Sequence, residues 1–324
     1  MSDKYNILIA THPFGLCGVE PVELLNETGW NIKYSLLGRR LKLNEVGEML
    51  DGIHGVVAGT EPYNEETLSQ ARDLKVISRV GIGLDNVDFE VCRKKNIIVT
   101  YTPEAPSEGV ADLTVAQIIN LLRGTCISNS LMRQGQWKRT MGKLVKEINI
   151  GVLGVGRIGS KVIKRLIPFG ANIYACDIKE DVVSKYREIY KQIKWGSKED
   201  LFRQCDLVTI HIPLNKNNYN HVGVKEFGLM KEGSFIVNTS RGPILNEDDL
   251  FYFLNNEHLG GAALDVFTKE PYEGPLTQFN NVILTAHIAS SANETRYSME
   301  LGAAEDCVRV LQGKEPLRPA PDFE

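Results

Sequence analysis

A chain of 324 residues is longer than one hydrophobic core ordinarily serves, so two domains are the first expectation. With 43% hydrophobic and 24% charged residues the composition is globular, and a net charge of −4 speaks against a nucleic-acid or membrane-surface role, which would need a basic patch. The six cysteines (Cys17, Cys92, Cys126, Cys176, Cys205, Cys307) form no C-x-x-C, which fits reduced thiols in a cytoplasmic protein and leaves neither a disulfide framework nor a metal site to expect.

The first apolar run, within MSDKYNILIATHP, is too short for a signal-peptide core or a membrane span. Short apolar runs then alternate with helical patterns. Strands are expected at 5–10, 32–34, 55–58, 76–79 and 97–100, and after a break at 149–153, 172–176, 207–210, 235–238, 262–264 and 282–284. Most lack polar alternation, as strands covered on both faces do, so the expectation is parallel sheets joined by right-handed crossovers. Between the two series lies SEGVADLTVAQIINLLRG, 107–124, a helix starting at Ser107 and stopped by Gly124. A second helix is expected over 293–313, capped by Asn293 and ended by Gly313, before an extended proline-rich tail. These two helices suggest domain connectors. The reading is α/β throughout: one doubly wound domain from 1–101 plus 291–324, and a second inserted at 102–290.

The sequence GVLGVGRIGSKV holds G-x-G-x-x-G at Gly154, Gly156 and Gly159, after an apolar strand and before a helix opening with Arg157 and Ile158. Gly154 allows a tight turn, Gly156 lets the backbone approach a pyrophosphate, and Gly159 permits close helix–strand packing. The helix N-terminus offers free N–H groups to phosphates. The next strand ends on Asp177, placed to bond an adenine-ribose diol and repel a 2′-phosphate, which favours NAD over NADP.

Later strands end on polar residues: His211 and Pro213 in HIPL, Thr239 and Arg241 in NTSRG, Asp265 with Glu270 in ALDVFTKEP, and His287 in AHIASS. Each alone reads equally as an inert group: a core histidine, a surface arginine, a solvated acid. Strand carboxyl ends face the ligand in open parallel sheets, so the set gains meaning behind a dinucleotide turn.

With SRVGIGLDNVD (78–88) and VAD (110–112), these motifs resemble the D-isomer-specific 2-hydroxyacid dehydrogenase family, particularly its phosphoglycerate dehydrogenase-like branch. The resemblance spans about residues 55–312. It implies a flavodoxin-like substrate domain and an inserted Rossmann NAD-binding domain. It also implies a homodimer through an arm at 126–144, and hydride transfer between a small D-2-hydroxy acid, such as 3-phosphoglycerate or a related anion, and its 2-keto acid. By the same resemblance Arg241 binds the substrate carboxylate, His287 takes the hydroxyl proton and Glu270 bonds that imidazole, fixing its tautomer. Arg79, Val80, Gly81, Ile82 and Gly83 match the substrate loop, whose N–H groups hold the carboxylate. Ala58 and Gly59 stand where phosphoglycerate enzymes often place a phosphate-binding arginine, leaving Arg79 and Arg139 to meet an anionic tail. Two other readings are a non-enzymatic NAD-sensing corepressor and a formate- or phosphite-type dehydrogenase.

Overall fold

The structure, a computed structural model, describes residues 4–35, 37–39 and 41–321. Two compact units make up the chain, one from 1–106 with 291–324 and the other from 107–290.

In the first unit the strands are β1 (Asn6–Ile9), β2 (Asn31–Tyr34), β3 (Gly55–Ala58), β4 (Val76–Arg79) and β5 (Ile98–Thr100). The helices between them are α1 (Glu20–Asn26), α2 (Leu43–Met49), α3 (Glu65–Leu68) and α4 (Phe89–Lys94). All neighbours pair parallel in the order β2-β1-β3-β4-β5, the flavodoxin-like winding. Alternate side chains point to opposite faces, so Leu8, Val56, Ile77 and Val99 enter one core while Ile7, Ile9, Val57 and Val76 enter another. The second core is completed by Met299, Ala303, Ala304, Cys307 and Leu311, from the late helix described below. Behind β5 the tail is extended, as expected: Tyr101 N donates to Arg318 O and Ala320 N to Val99 O.

The second unit opens with α5 (Pro106–Arg123, its first residue belonging to the first unit) and α6 (Thr125–Arg133). Gly124, left-handed at φ 57, separates them, so the expected stop is a bend into a further helix. Strands β6 (Asn149–Leu153), β7 (Asn172–Cys176), β8 (Lys194–Trp195), β9 (Leu207–Ile210), β10 (Ser234–Asn238), β11 (Leu259–Leu264) and β12 (Val282–Leu284) follow. Between them lie α7 (Arg157–Leu166), α8 (Glu180–Ile189), α9 (Lys198–Gln204), α10 (Val224–Leu229) and α11 (Glu247–Asn255). The parallel order β12-β11-β10-β9-β6-β7-β8 reverses direction between β6 and β9, which is where doubly wound sheets open their ligand crevice. One face packs Ile150, Val152, Leu207 and Val237 under Ala111, Ile118 and Leu122 of α5; the other packs Leu153, Val208, Ile210 and Ile236.

The last helix, α12 (Asn293–Leu311), lies in the first unit. Its N-cap is Ala292, not the expected Asn293, whose Oδ1 instead accepts from Cys17 Sγ at 3.8 Å. Among the described residues no single helix is long and apolar enough to cross a membrane.

Candidate active site

The register of the second sheet places the expected residues in a row. Leu284, Leu264, Asn238, Ile210, Leu153 and Cys176 are the last residues of β12, β11, β10, β9, β6 and β7, paired across the sheet. Directly beyond these ends come His287, Asp265, Thr239 with Arg241, His211, Gly154 and Asp177. One edge of one sheet therefore carries the whole set.

The glycine turn is shaped by close approach. Gly154 holds φ 90, and a Cβ there would meet His211 O at 2.7 Å; a Cβ on Gly159 would meet Gly154 O at 2.0 Å. A Cβ on Gly156 would meet nothing within 4 Å, so the turn is open on that side. Asp88, Ser197 and Asn246 cap α4, α9 and α11 with side-chain oxygens, whereas Gly156 at the N-cap of α7 makes no side-chain cap bond. An open, uncapped helix start suits a pyrophosphate. Arg157 is exposed beside it, and Ile158 is half-buried. Asp177 braces the turn: Val155 N donates to its Oδ2 at 2.7 Å and Lys179 N to its Oδ1 at 2.9 Å. These residues fit a dinucleotide.

Two neighbouring loops carry the reactive groups. Glu270 accepts from Phe267 N at Oε1 (3.1 Å), which aims Oε2 at His287, whose Nδ1 donates to it at 3.0 Å. With the proton on Nδ1, Nε2 is left with a lone pair. The His287 side chain is 34% exposed. Its backbone is left-handed at φ 52, uncommon for a residue with a side chain, and its N–H donates to Asp265 O at 2.9 Å. Asp265 holds this loop. Its Oδ1 accepts from Thr285 Oγ1 and Ile288 N, its Oδ2 from Ala289 N, and it is 1% exposed. Expected as a cofactor contact, it serves in this structure as the brace of the loop.

Arg241 follows a turn built by Asn238, whose Oδ1 accepts from Ser240 N and Oγ while its Nδ2 donates to Arg241 O. The next residue, Gly242, runs so close to the Glu270 loop that a Cβ would overlap Phe267 C at 1.9 Å. Thr239 shares a 2.7 Å hydroxyl contact with Thr114 of α5. His211 is buried: Nε2 meets Thr209 Oγ1 at 2.9 Å, Nδ1 has no partner among the described residues, and burial pushes its pKa down to about 3. Pro213 is exposed, its carbonyl accepting from Asn218 Nδ2. Arg139 is exposed in the stretch after α6.

The first unit's loop after β4 corrects three expectations. Arg79 is 3% exposed and turned inward, its guanidinium donating to Ala58 O and Gly83 O. Val80 N donates to Ala58 O at 2.9 Å and Gly81 N to Thr102 Oγ1 at 2.8 Å. The next two N–H groups, of Ile82 and Gly83, have no partner among the described residues. Sequence reasoning included both in the expected loop but missed Asn238 and Thr285; NTSRG carried the only signal, a polar residue at a strand end.

A profile of the D-isomer specific 2-hydroxyacid dehydrogenase NAD-binding domain matches residues 115–289. The chain is 34% identical over 267 residues to a glyoxylate reductase of Thermofilum pendens, covering 79% of this chain and 78% of that one. It is 34% identical over 265 residues to a D-3-phosphoglycerate dehydrogenase of Methanocaldococcus jannaschii, covering 80% of this chain but 50% of that protein. A solved Thermus thermophilus structure superposes with a TM-score of 0.85 at 29% identity, covering 98% of this chain and all of that one. The chain belongs to the D-isomer specific 2-hydroxyacid dehydrogenase family, and its cofactor is NAD.

Proposed function

We propose that the protein reduces a compact, unphosphorylated 2-keto acid to its D-2-hydroxy acid, and catalyses the reverse. The Glu270–His287 pair carries the reading: a carboxylate fixes the imidazole so that Nε2 is the atom that exchanges a proton. Bound NADH supplies the hydride. In reduction His287 Nε2–H passes its proton to the substrate oxygen, and the imidazole stays bonded to Glu270 through Nδ1–H; in oxidation Nε2 takes the hydroxyl proton. Arg241 holds the substrate carboxylate and stabilises charge growing on the oxygen. Within the expected loop, the open Ile82 and Gly83 N–H groups are the further carboxylate donors, since those of Val80 and Gly81 are taken.

A compact substrate is supported by the carboxyl edge of the first sheet. Ala58 ends β3 with Gly59 just beyond, Arg79 is turned inward, and Glu61, 1% exposed, accepts there from Gly59 N and Tyr63 Oη. A buried carboxylate repels a phosphate tail. The glyoxylate reductases among the relatives agree with this. The test is NADH consumption with glyoxylate, hydroxypyruvate, pyruvate and 3-phosphohydroxypyruvate. The highest kcat/KM on glyoxylate or hydroxypyruvate is expected; preference for the phosphorylated acid refutes the size argument, and inactivity on all refutes the enzyme.

We also propose a homodimer through 126–144: α6 buries no residue, and Trp137 and Met141 are 78% and 98% exposed. Sedimentation at micromolar concentration should give a dimer; a monomer rules this out.

A further inference from the structure

A basin of about 580 Å³ opens at the amino edge of the first sheet, opposite the edge that carries the loop after β4. Three separate segments deliver cations to it, Lys4 just before β1, Arg72 and Lys75 before β4, and Lys95 before β5, and a fourth brings His54 before β3. A single carboxylate, Asp73, lines it with them. In a chain of net charge −4, four converging cations against one acid are a local reversal of sign. A run of lysines on one helix would be an ordinary solvated face; here the topology gathers charges distant in sequence into one concavity.

None of the four cations is ion-paired among the described residues. Lys75 Nζ stands 4.7 Å from the centre of the Tyr5 ring, which holds the ammonium without neutralising it. His54 Nδ1 accepts from Asn6 N at 3.0 Å, so its ring proton is on Nε2, a further donor. The backbone beneath is fixed, with Lys75 N bonded to His54 O at 2.8 Å and Ile98 N to Lys75 O at 2.9 Å. Ammonium groups and an imidazole N–H around a rigid floor attract clustered oxyanions.

We propose that this basin binds a compact polyanion, a small molecule carrying two or more phosphate or carboxylate groups. It belongs to the first unit and the dinucleotide turn to the second, so the two anion sites can be perturbed separately.

Isothermal titration with inorganic pyrophosphate, and separately with citrate, tests this with NADH saturating so that the glycine turn is filled. One saturable site that weakens with added salt is expected. Arg72→Gln combined with Lys95→Gln should weaken it about tenfold or more, since two of four charges are gone, while NADH binding is unchanged. Should that variant fail to bind NADH, Lys75→Gln alone serves. Tighter pyrophosphate names phosphate as the chemistry, and tighter citrate names carboxylate. Absence of saturable binding at millimolar concentration, or undiminished binding by the variants, overturns the proposal.

Discussion

His211 and His287 stand beyond strands of the same sheet, and their surroundings make them chemically opposite. His211 follows central β9, buried above Thr209, with no acid beside it and its pKa held down near 3. His287 follows edge strand β12, partly exposed, with Glu270 on one ring nitrogen and the other free. Burial without a partner makes a histidine a neutral wedge, whereas a carboxylate and solvent access make it a proton carrier. Edge position is part of the difference: with one flank open, β12 gives its loop room that β9 lacks.

The contrast can be broken most sharply by exchanging losses. His287→Ala should lower kcat by about 10²–10⁴, the usual share of a positioned proton transfer, with NADH affinity little changed, while His211→Ala should not approach that loss. Steady-state kinetics on the best keto acid and a fluorescence titration decide it; equal losses in the two variants would erase the distinction.

A second test uses acid. His211 titrates near 3 when folded against 6.5 as its ordinary value. The unfolded chain therefore takes up a proton that the folded one refuses, so its contribution lowers stability as pH falls from 6.5 toward 3. The slope is at most about 1.4 kcal/mol per pH unit. Melting temperature between pH 7 and pH 5 should fall less steeply for His211→Gln than for the parent; parallel curves would mean that the ring is not held neutral. The smallest effect concerns Asp177, busy with Val155 and Lys179 N–H groups yet set at the end of β7. NADH should bind more tightly than NADPH, and Asp177→Ala should narrow that preference by about tenfold; equal affinities in the parent would remove the expectation.

Legibility followed how local each cause is. Strand β3 is buried at every residue and reads as an unbroken apolar run, while β4 and β9 are equally buried around Ser78, Arg79 and Thr209. Two-residue β8 left no pattern, and β12, taken for a buried strand, is half-buried at the sheet's edge. The glycine turn was legible because its spacing is its mechanism. The loop after β4 was not, because the acceptors that occupy Val80 and Gly81 are Ala58 O and Thr102 Oγ1, brought from other segments. Asp265 was found for its position but not its job, which depends on the path of residues 285–289.

The late helix that completes the first unit's core has a consequence for synthesis. Met299, Cys307 and Leu311 cover Ile7, Val57 and Val76, so one face of the earliest sheet stays bare until the ribosome has passed residue 311. Everything from 107 to 290 emerges in the interval with a core of its own. The segment translated before the inserted unit thus finishes folding after it, and a nascent chain that has emerged as far as residue 290 would hold a closed second unit with an open first one, the stage at which a chaperone has most to cover.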